Sequence, residues 1–240
     1  MDWQYEPTPD FDKTPIERLR IFPRHPDMLV YAMRTVLNAI ARAWLKIYHR
    51  YRVIGREKLA SMSGPFVLVA NHGSHLDAIC LLSALPLRKI HKTFPAAARD
   101  YFFTTLPKSA FFAIAVNAMP FDRKENPRDS LAVCADLLRT PEHVLILFPE
   151  GTRTTTGEIG DFKVGIGFLT AGTPVPIVPC FLDGAHRAWP KGAWIPRPRR
   201  LRLVVGEPRT FADLEPTKES AHLIASTLRD DVVDLERSLR

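Results

Sequence analysis

Two kinds of hydrophobic pattern alternate along this chain. Short apolar runs bounded by polar or turn residues are typical of buried strands, whereas apolar residues spaced three or four apart are typical of helices packed on one face. The short runs predict strands at 51–54, 66–70, 143–148 and 201–205. The wider spacing predicts helices from Asn126-Pro127 to Pro141, from Lys163 to about Ala171 ahead of another buried strand, and over 221–239. Strands separated by helices predict a single α/β domain with a largely parallel sheet covered by helices.

An amphipathic stretch precedes this predicted domain. Its apolar residues recur at helical spacing and are Leu29, Met33, Val36, Leu37, Ile40, Trp44 and Ile47. Another face carries polar and basic residues, which are Arg34, Asn38, Arg42 and Lys46. The pattern predicts a helix that lies in a membrane interface, with its apolar face in the lipid and its basic residues near lipid phosphates. The alternative is a surface helix docked on the core of the protein itself.

No segment is predicted to cross a membrane. Residues 164–182 are uncharged and nearly long enough to span a bilayer, but their glycines and prolines would break a single helix repeatedly. Residues 1–27 contain several prolines and an acidic start, and they lack the order of a signal peptide. The predicted organisation is therefore an N-terminal tail at 1–27, an interface helix at 28–49 and one globular domain at 50–240.

Two polar loops follow predicted strands and contain the candidate chemistry. In the first, His72 comes just after the run Val67–Ala70, and Ser74 and Asp77 have the spacing of a helix capping box. In the second, Phe-Pro-Glu-Gly-Thr-Arg at 148–153 follows another apolar run. Open α/β sheets place reactive groups at the carboxyl ends of strands. A cap and a loop histidine need no function by themselves, but two complementary strand ends favour a site.

These loops resemble those of the glycerolipid acyltransferases related to 1-acylglycerol-3-phosphate acyltransferase. The first motif of that family is Asn-His-x4-Asp, and residues 71–77 match it. Residues 148–153 match the third motif without a substitution. The resemblance spans roughly residues 50 to 210, and it implies an acyltransferase that acts on a lysophospholipid.

The other two motifs of the family are matched less closely. Residues 117–123 resemble the second motif, but Asn117 stands where glycine is usual and Pro120 where an aromatic residue is usual. Residues 174–179 resemble the proline-containing fourth motif. The departures at Asn117 and Pro120 leave the identity of the lyso-acceptor open.

The residues of the first loop suit acyl transfer from a thioester to an alcohol. Imidazole groups ionise near neutral pH and can take the proton of an attacking hydroxyl, which makes His72 the candidate general base. Asp77 would hold the ring in the productive tautomer and stabilise the imidazolium. Because the chain has no Gly-x-Ser-x-Gly elbow, direct transfer in a ternary complex is expected instead of a serine acyl-enzyme. Ser74 is interpreted as a cap and His75 as structural.

A phosphate-bearing acceptor requires positive charge. Arg153 can bind a phosphate through two parallel hydrogen bonds, and Gly151 allows a close approach of the backbone. The family resemblance implies that Arg123, Glu150 and Arg153 bind the glycerol-phosphate portion of the acceptor. Lys163 follows Arg153 closely in the sequence and is expected to add charge to the same pocket.

The formal net charge of +7 also points to an anionic partner. Basic residues alternate with tryptophans between Arg187 and Arg202, as suits an anionic membrane surface. Single-stranded nucleic acid or a merely solvated loop are the alternatives, but no nucleic-acid motif accompanies the segment. An anionic membrane and no nucleic acid are therefore expected. The three cysteines are far apart, which argues against disulfides and zinc and favours a reducing compartment.

Together these patterns predict an enzyme that moves a fatty acyl group to the free hydroxyl of a lysophospholipid. The simplest acceptor is 1-acylglycerol-3-phosphate, which gives phosphatidic acid; a lyso-ornithine lipid or a glycolipid stays open. No bound cofactor or metal is expected, and the acyl thioester donor is acyl-CoA or acyl-carrier protein. The expected location is the cytoplasmic face of the cell membrane, peripheral or monotopic. The rival classes are a metal-dependent hydrolase that uses His72, His75 and Asp77, and an inert lipid-binding protein.

Overall fold

One largely parallel sheet forms the centre of the molecule. The computed structural model describes residues 27–98, 112–122 and 127–239. The strands in these ranges are β1 (Arg52–Ile54), β2 (Phe66–Ala70), β3 (Thr93–Ala98), β4 (Met119–Phe121), β5 (Val144–Leu147), β6 (Ile177–Asp183) and β7 (Arg202–Val205). Their order in the sheet is β1-β7-β6-β2-β5-β3-β4, and each neighbouring pair is parallel except β6 with β7. The predicted sheet is confirmed.

Helices cover both faces of this sheet. They are α1 (Met28–Tyr48), α2 (Arg56–Ser61), α3 (Asp77–Ala84), a 3₁₀ helix (Leu87–Lys92), α4 (Pro127–Arg139), α5 (Gly165–Thr170), α6 (Ala185–Ala188) and α7 (Lys218–Arg237). Side chains of β2 alternate between two apolar clusters, one shared with α1, α2 and α3 and the other with α4, α5 and α7. A strand whose residues are all buried needs cover on both sides. The prediction of a single α/β domain is therefore confirmed.

The third strand has no strand pattern in the sequence. Its residues Thr-Phe-Pro-Ala-Ala-Ala include a proline and three alanines, which have low strand propensity. Its first half, Thr93–Pro95, pairs with β5, and its second half, 96–98, pairs with β4. Pairing with β5 on one side and then with β4 on the other stabilises a strand that local propensity does not favour.

The predicted interface helix exists as α1, but its polar face packs against the protein. Arg34 and Asn38 are buried, and the Arg34 guanidinium donates to the carbonyl oxygens of Ala113 and Ile114, both at 2.9 Å. Burial lowers the pKa of Arg34 to about 10, so the group stays charged at neutral pH. Arg42 donates to carbonyl oxygens at the end of α3. The expectation that Arg34 and Arg42 lie near lipid phosphates is therefore wrong.

The apolar face of α1 points away from the core. Its exposed side chains are Met28, Leu29, Met33, Val36, Ile40 and Ile47. The alternative of a surface helix docked on the core thus applies to the polar face and to Leu45, a fully buried residue outside the predicted stripe, whereas most of the stripe is exposed. Asp27, the last residue of the predicted tail, caps the helix by accepting from the N–H groups of residues 29 and 30. Within the three described ranges, no helix is long and apolar enough to span a membrane.

Candidate active site

The first loop begins where β2 ends, and a side chain fixes its starting point. The Asn71 carboxamide donates to the carbonyl oxygen of Leu182 at 3.2 Å and accepts from the N–H of Leu182 at 2.8 Å. These two bonds continue the pairing of β2 with β6 beyond the last strand residue, Ala70. The next residue, His72, therefore leaves the sheet at a defined position and direction.

His72 and Asp77 form the pair that the sequence predicts. Nδ1 of His72 lies 2.8 Å from Oδ2 of Asp77. The same oxygen accepts the N–H groups of Gly73 at 2.8 Å and Ser74 at 2.9 Å, and Asp77 is buried at the start of α3. A carboxylate beside Nδ1 favours the imidazole tautomer that has its proton on Nδ1. Nε2 is then left as a proton acceptor. The arrangement can thus supply a general base.

Ser74 only partly follows its predicted role. Its hydroxyl accepts from the N–H of Leu76 at 3.1 Å and donates to the carbonyl oxygen of Trp189 at 2.8 Å. Asp77 supplies the reciprocal half of a capping box through its bond from the N–H of Ser74. Helix α3 itself begins at Asp77, and its N-cap, Leu76, makes no side-chain cap. Ser74 therefore fastens the loop to the segment after α6.

The second loop also contacts His72, through its ring and its backbone. The rings of His72 and Phe148 are stacked, with centroids 4.2 Å apart and planes 17° apart. The N–H of His72 donates to Oε1 of Glu150 at 2.7 Å, and its carbonyl oxygen accepts the N–H of Thr154 at 2.8 Å. Because β2 and β5 are parallel neighbours, their carboxyl ends meet at one edge. Both the ring and the backbone of His72 are fixed there.

Glu150 is a buried link between the two loops. One carboxylate oxygen accepts from His72, and the other accepts the N–H of Gly160 at 3.2 Å. Burial raises the pKa of the Glu150 carboxyl, while these two backbone hydrogen bonds act in the opposite direction. These contacts show that Glu150 positions the first loop. Its additional role as a ligand of glycerol phosphate stays a prediction.

Arg153 lies beside the first loop, in contact with a histidine that the sequence interpretation set aside. Nη1 of Arg153 contacts Nε2 of His75. A guanidinium has only donors, so the His75 nitrogen accepts in this contact. His75 therefore positions a predicted phosphate ligand. Sequence reasoning missed this role because the contact joins residues 78 positions apart.

Gly151 and Lys163 also meet at the second loop. Gly151 has φ of +72°, a left-handed conformation that favours glycine. Lys163 is exposed, its N–H donates to the carbonyl oxygen of Pro149 at 2.9 Å, and its aliphatic stem lies alongside Gly151. Lys163 thus lies beside the loop that contains Arg153. Arg123 lies outside the described residues.

The residue in the usual glycine place of the second motif has a structural explanation. Asn117 has φ of +55°, and its buried carboxamide donates to the carbonyl oxygens of His91 and Thr93, both at 3.1 Å. Asparagine tolerates left-handed backbone better than most residues with a side chain. Asn117 therefore has a backbone conformation that glycine also adopts readily, and its side chain adds two hydrogen bonds to β3 and the segment before it.

The three side chains considered as ligands in a metal hydrolase do not meet at one point. His72 and Asp77 bind each other, whereas His75 binds Arg153. Across 27–98, 112–122 and 127–239, no group of three metal-binding side chains lies together. The cysteines are free and buried, and burial raises the pKa of Cys134 and of Cys180 to about 12. These two thiols are therefore poor nucleophiles.

Comparison with known proteins shows the family of this chain. The family model described as Acyltransferase matches residues 50–183, which include both loops and the whole of β2, β5 and β6. The chain belongs to the acyltransferase family. The chain is 31% identical over 194 residues to the chloroplast 1-acyl-sn-glycerol-3-phosphate acyltransferase of Arabidopsis thaliana, a match that covers 77% of this chain and 52% of the relative. The corresponding protein of Chlamydomonas reinhardtii is 31% identical over 211 residues, covering 84% and 60%.

A solved structure shares the fold of this chain. The crystal structure of the 1-acyl-sn-glycerophosphate acyltransferase PlsC from Thermotoga maritima superposes with a TM-score of 0.64 at 22% identity. The match covers 86% of this chain and 79% of that one. The chain spans only about half the length of the Arabidopsis relative. The shared fold and the family are therefore established, and the particular reaction is a matter of proposal.

Replacing His75 with alanine tests its role in positioning Arg153. We expect the KM for a phosphate-bearing acceptor to rise about three- to tenfold, as for the loss of one hydrogen bond, with the KM for the donor unchanged. Steady-state kinetics measure both values, and His222→Ala, at an exposed position of α7, is the matched control. In an Arg153→Ala background the His75 change should have no further effect; two additive effects would contradict the coupling.

Proposed function

We propose that this acyltransferase transfers a fatty acyl group from an acyl thioester to the free hydroxyl of 1-acylglycerol-3-phosphate and forms phosphatidic acid. The observation that carries the proposal is the His72–Asp77 pair, which the second loop fixes at the end of β2 with Arg153 alongside. The names of the relatives from Arabidopsis and Chlamydomonas support the same acceptor.

The reaction follows from the free nitrogen of His72. The acceptor hydroxyl gives its proton to Nε2 while its oxygen forms a bond to the thioester carbonyl carbon. The resulting tetrahedral intermediate collapses, the carbon–sulfur bond breaks, and the imidazolium returns the proton to the departing thiolate. Asp77 stabilises the imidazolium that forms in this step through Nδ1 at 2.8 Å. The products are an ester and a free thiol.

The acceptor phosphate is proposed to bind on the β5 side of His72. Arg153 and Lys163 supply positive charge there, and the left-handed turn at Gly151 brings backbone close to the same place. Arg123 is proposed as the second arginine of this site on the strength of the motif alone. A guanidinium binds a phosphate through two parallel hydrogen bonds, which gives orientation as well as affinity.

A screen of lyso-acceptors tests the proposed function. Purified enzyme is incubated with each acceptor and with either acyl-CoA or acyl-carrier protein, and products are identified by lipid mass spectrometry. We expect 1-acylglycerol-3-phosphate to be converted with at least one donor. Conversion of a lyso-ornithine lipid or a glycolipid instead would establish the alternative acceptor. Lipid binding without any product would identify an inert lipid-binding protein.

The outward face of α1 is proposed to lie in the membrane interface. The Tyr48 hydroxyl donates to the carbonyl oxygen of Pro196 at 3.0 Å, which joins the end of α1 to a loop with two protruding side chains. In that loop Trp194 is 95% exposed and Ile195 is 76% exposed. Apolar residues so exposed favour an interfacial location, and tryptophan prefers the headgroup level. We place the enzyme on the cytoplasmic face, peripheral or monotopic.

Replacing Met33 and Ile40 together with glutamate is expected to release the enzyme from vesicles. Each change removes an apolar side chain whose burial in lipid contributes about 1.5 kcal/mol or more, so partitioning should weaken about 100-fold or more. Both side chains are exposed, so the fold should be unaffected. Flotation with phosphatidylglycerol vesicles measures the effect.

The matched control for this membrane test is Val133→Glu with Leu223→Glu. These residues are also exposed apolar positions on helices, but they lie on α4 and α7, which cover the other face of the sheet from α1. The control should float like the wild type. Equal flotation of the Met33 and Ile40 variant would show that α1 does not contact the membrane.

A further inference from the structure

A second cluster of positive charge lies at the end of β6, a neighbour of β2 in the sheet. Asp183 and four arginines line a cavity of about 290 Å³: Arg187, Arg199, Arg200 and Arg202. The cavity is at the end of β6 and the start of β7. In the sheet β6 and β5 flank β2 on opposite sides. The cavity therefore lies at the end of the strand on one side of β2, whereas the second loop begins at the end of the strand on its other side.

Asp183 arranges two of these arginines. Its carboxylate accepts from Nη2 of Arg187 at 3.1 Å, and from Nε and Nη2 of Arg202 at 3.1 and 2.8 Å. Within the part of the chain that the structure describes, neither Arg199 nor Arg200 has an ion pair. Four arginines against one aspartate leave a strongly positive cavity. Two guanidinium groups are already oriented, so binding an anion orders fewer side chains.

Helix α6 connects the cavity to the first loop. This helix follows Asp183 almost directly, and its His186 packs so closely against Gly73 that a Cβ there would lie 3.1 Å from the His186 Cβ. After the helix, the carbonyl oxygen of Trp189 accepts from the Ser74 hydroxyl. These contacts fix the position of the cavity relative to Gly73 and Ser74, which directly follow His72.

Direct transfer requires both substrates to be bound at the same time. This requirement rests on the proposed function, and it implies a separate binding site for each substrate. The proposed acceptor cations follow β5, so the cluster after β6 is left for the other anionic substrate. We propose that the arginine cavity binds the phosphate groups of an acyl-CoA donor. A concave site lined by guanidinium groups suits small phosphate groups, which bind bidentately, whereas an acidic carrier protein would need a broad open surface.

The test compares two variants that each remove two exposed charges from the same loop. Arg199→Gln with Arg200→Gln changes the cavity, and Lys191→Gln with Arg197→Gln changes residues outside its lining. Binding of CoA itself, without an acyl chain, is measured by titration calorimetry in the absence of lipid. We expect the cavity variant to bind about tenfold or more weakly, as for the loss of charge-assisted contacts, and the control to match the wild type. The KM for acyl-CoA should follow the same order.

Flotation with phosphatidylglycerol vesicles separates this proposal from binding of lipid headgroups. Both variants lose the same charge, so both should float equally. Unchanged CoA affinity with weaker flotation of the cavity variant alone would overturn the proposal in favour of a lipid headgroup site. Wild-type enzyme that transfers from acyl-carrier protein but does not bind CoA would overturn it and leave the proposed function intact. Cavity-dependent CoA binding without any acyl transfer would support the cavity and reject the proposed function.

Discussion

Replacing His72 with alanine is expected to lower the rate of acyl transfer by about 10²–10⁴-fold, the usual cost of losing a general base. The ring is held by Asp77 at 2.8 Å and by the stacked Phe148, so Nε2 is the nitrogen left to take the hydroxyl proton. The backbone bond from residue 72 to Glu150 survives the change, and the loop should keep its shape. Initial rates of purified enzyme at saturating donor and acceptor measure the loss.

Circular dichroism and thermal unfolding should show that the His72 variant is folded. The matched control is His222→Ala, which removes an exposed imidazole from α7 and should leave the rate unchanged. Asp77→Asn should also lose most activity, because an amide cannot stabilise the imidazolium in the same way. Activity of the His72 variant within a few-fold of the wild type would reject the mechanism.

Replacing Arg153 with alanine is expected to reduce kcat/KM for 1-acylglycerol-3-phosphate by about 30- to 1,000-fold, equivalent to about 2–4 kcal/mol for a charge-assisted contact in a desolvated site. The KM for the acyl donor should stay near the wild-type value, because the donor is proposed to bind on the β6 side. Arg153→Lys keeps the charge but loses the paired geometry, so an intermediate loss is expected.

A neutral acceptor distinguishes phosphate binding from a general disturbance of the loop. Monoacylglycerol lacks the phosphate, so the Arg153→Ala variant should use it about as well, or as poorly, as the wild type does. Equal losses with both acceptors would show that Arg153 organises the loop through His75. No loss with either acceptor would transfer the phosphate role to Arg123 or Lys163.

The parts of the fold and site that depend on neighbours in the sequence were predictable. Strand β2 was predicted at 66–70 and observed at Phe66–Ala70, because a short, continuous apolar run needs no distant information. The His72–Asp77 contact was likewise predictable, since the two residues lie on one tight loop before a helix. The meeting of that loop with Glu150 required one further step, the rule that parallel strands end at one edge.

The contacts between residues far apart in the sequence were not predictable from these patterns. The Arg153–His75 contact and the arginine cavity after β6 both depend on which strands become neighbours, and strand order is not encoded in local periodicity. Strand β3 was missed for the same reason, since pairing with β5 and β4 overrides the low propensity of its alanines.

Helix α1 shows most clearly what the sequence alone does not predict. The sequence by itself determined a helix at 28–48 with one apolar and one polar face. Only the tertiary structure decided that the polar face turns inward, because the partners of Arg34 and Arg42 are backbone carbonyl oxygens near residues 82–85 and 113–114. Every residue has such a carbonyl, so side-chain patterns contain no sign of it. Which carbonyl oxygens are free to accept depends on where helices end and pack, and folding alone decides that.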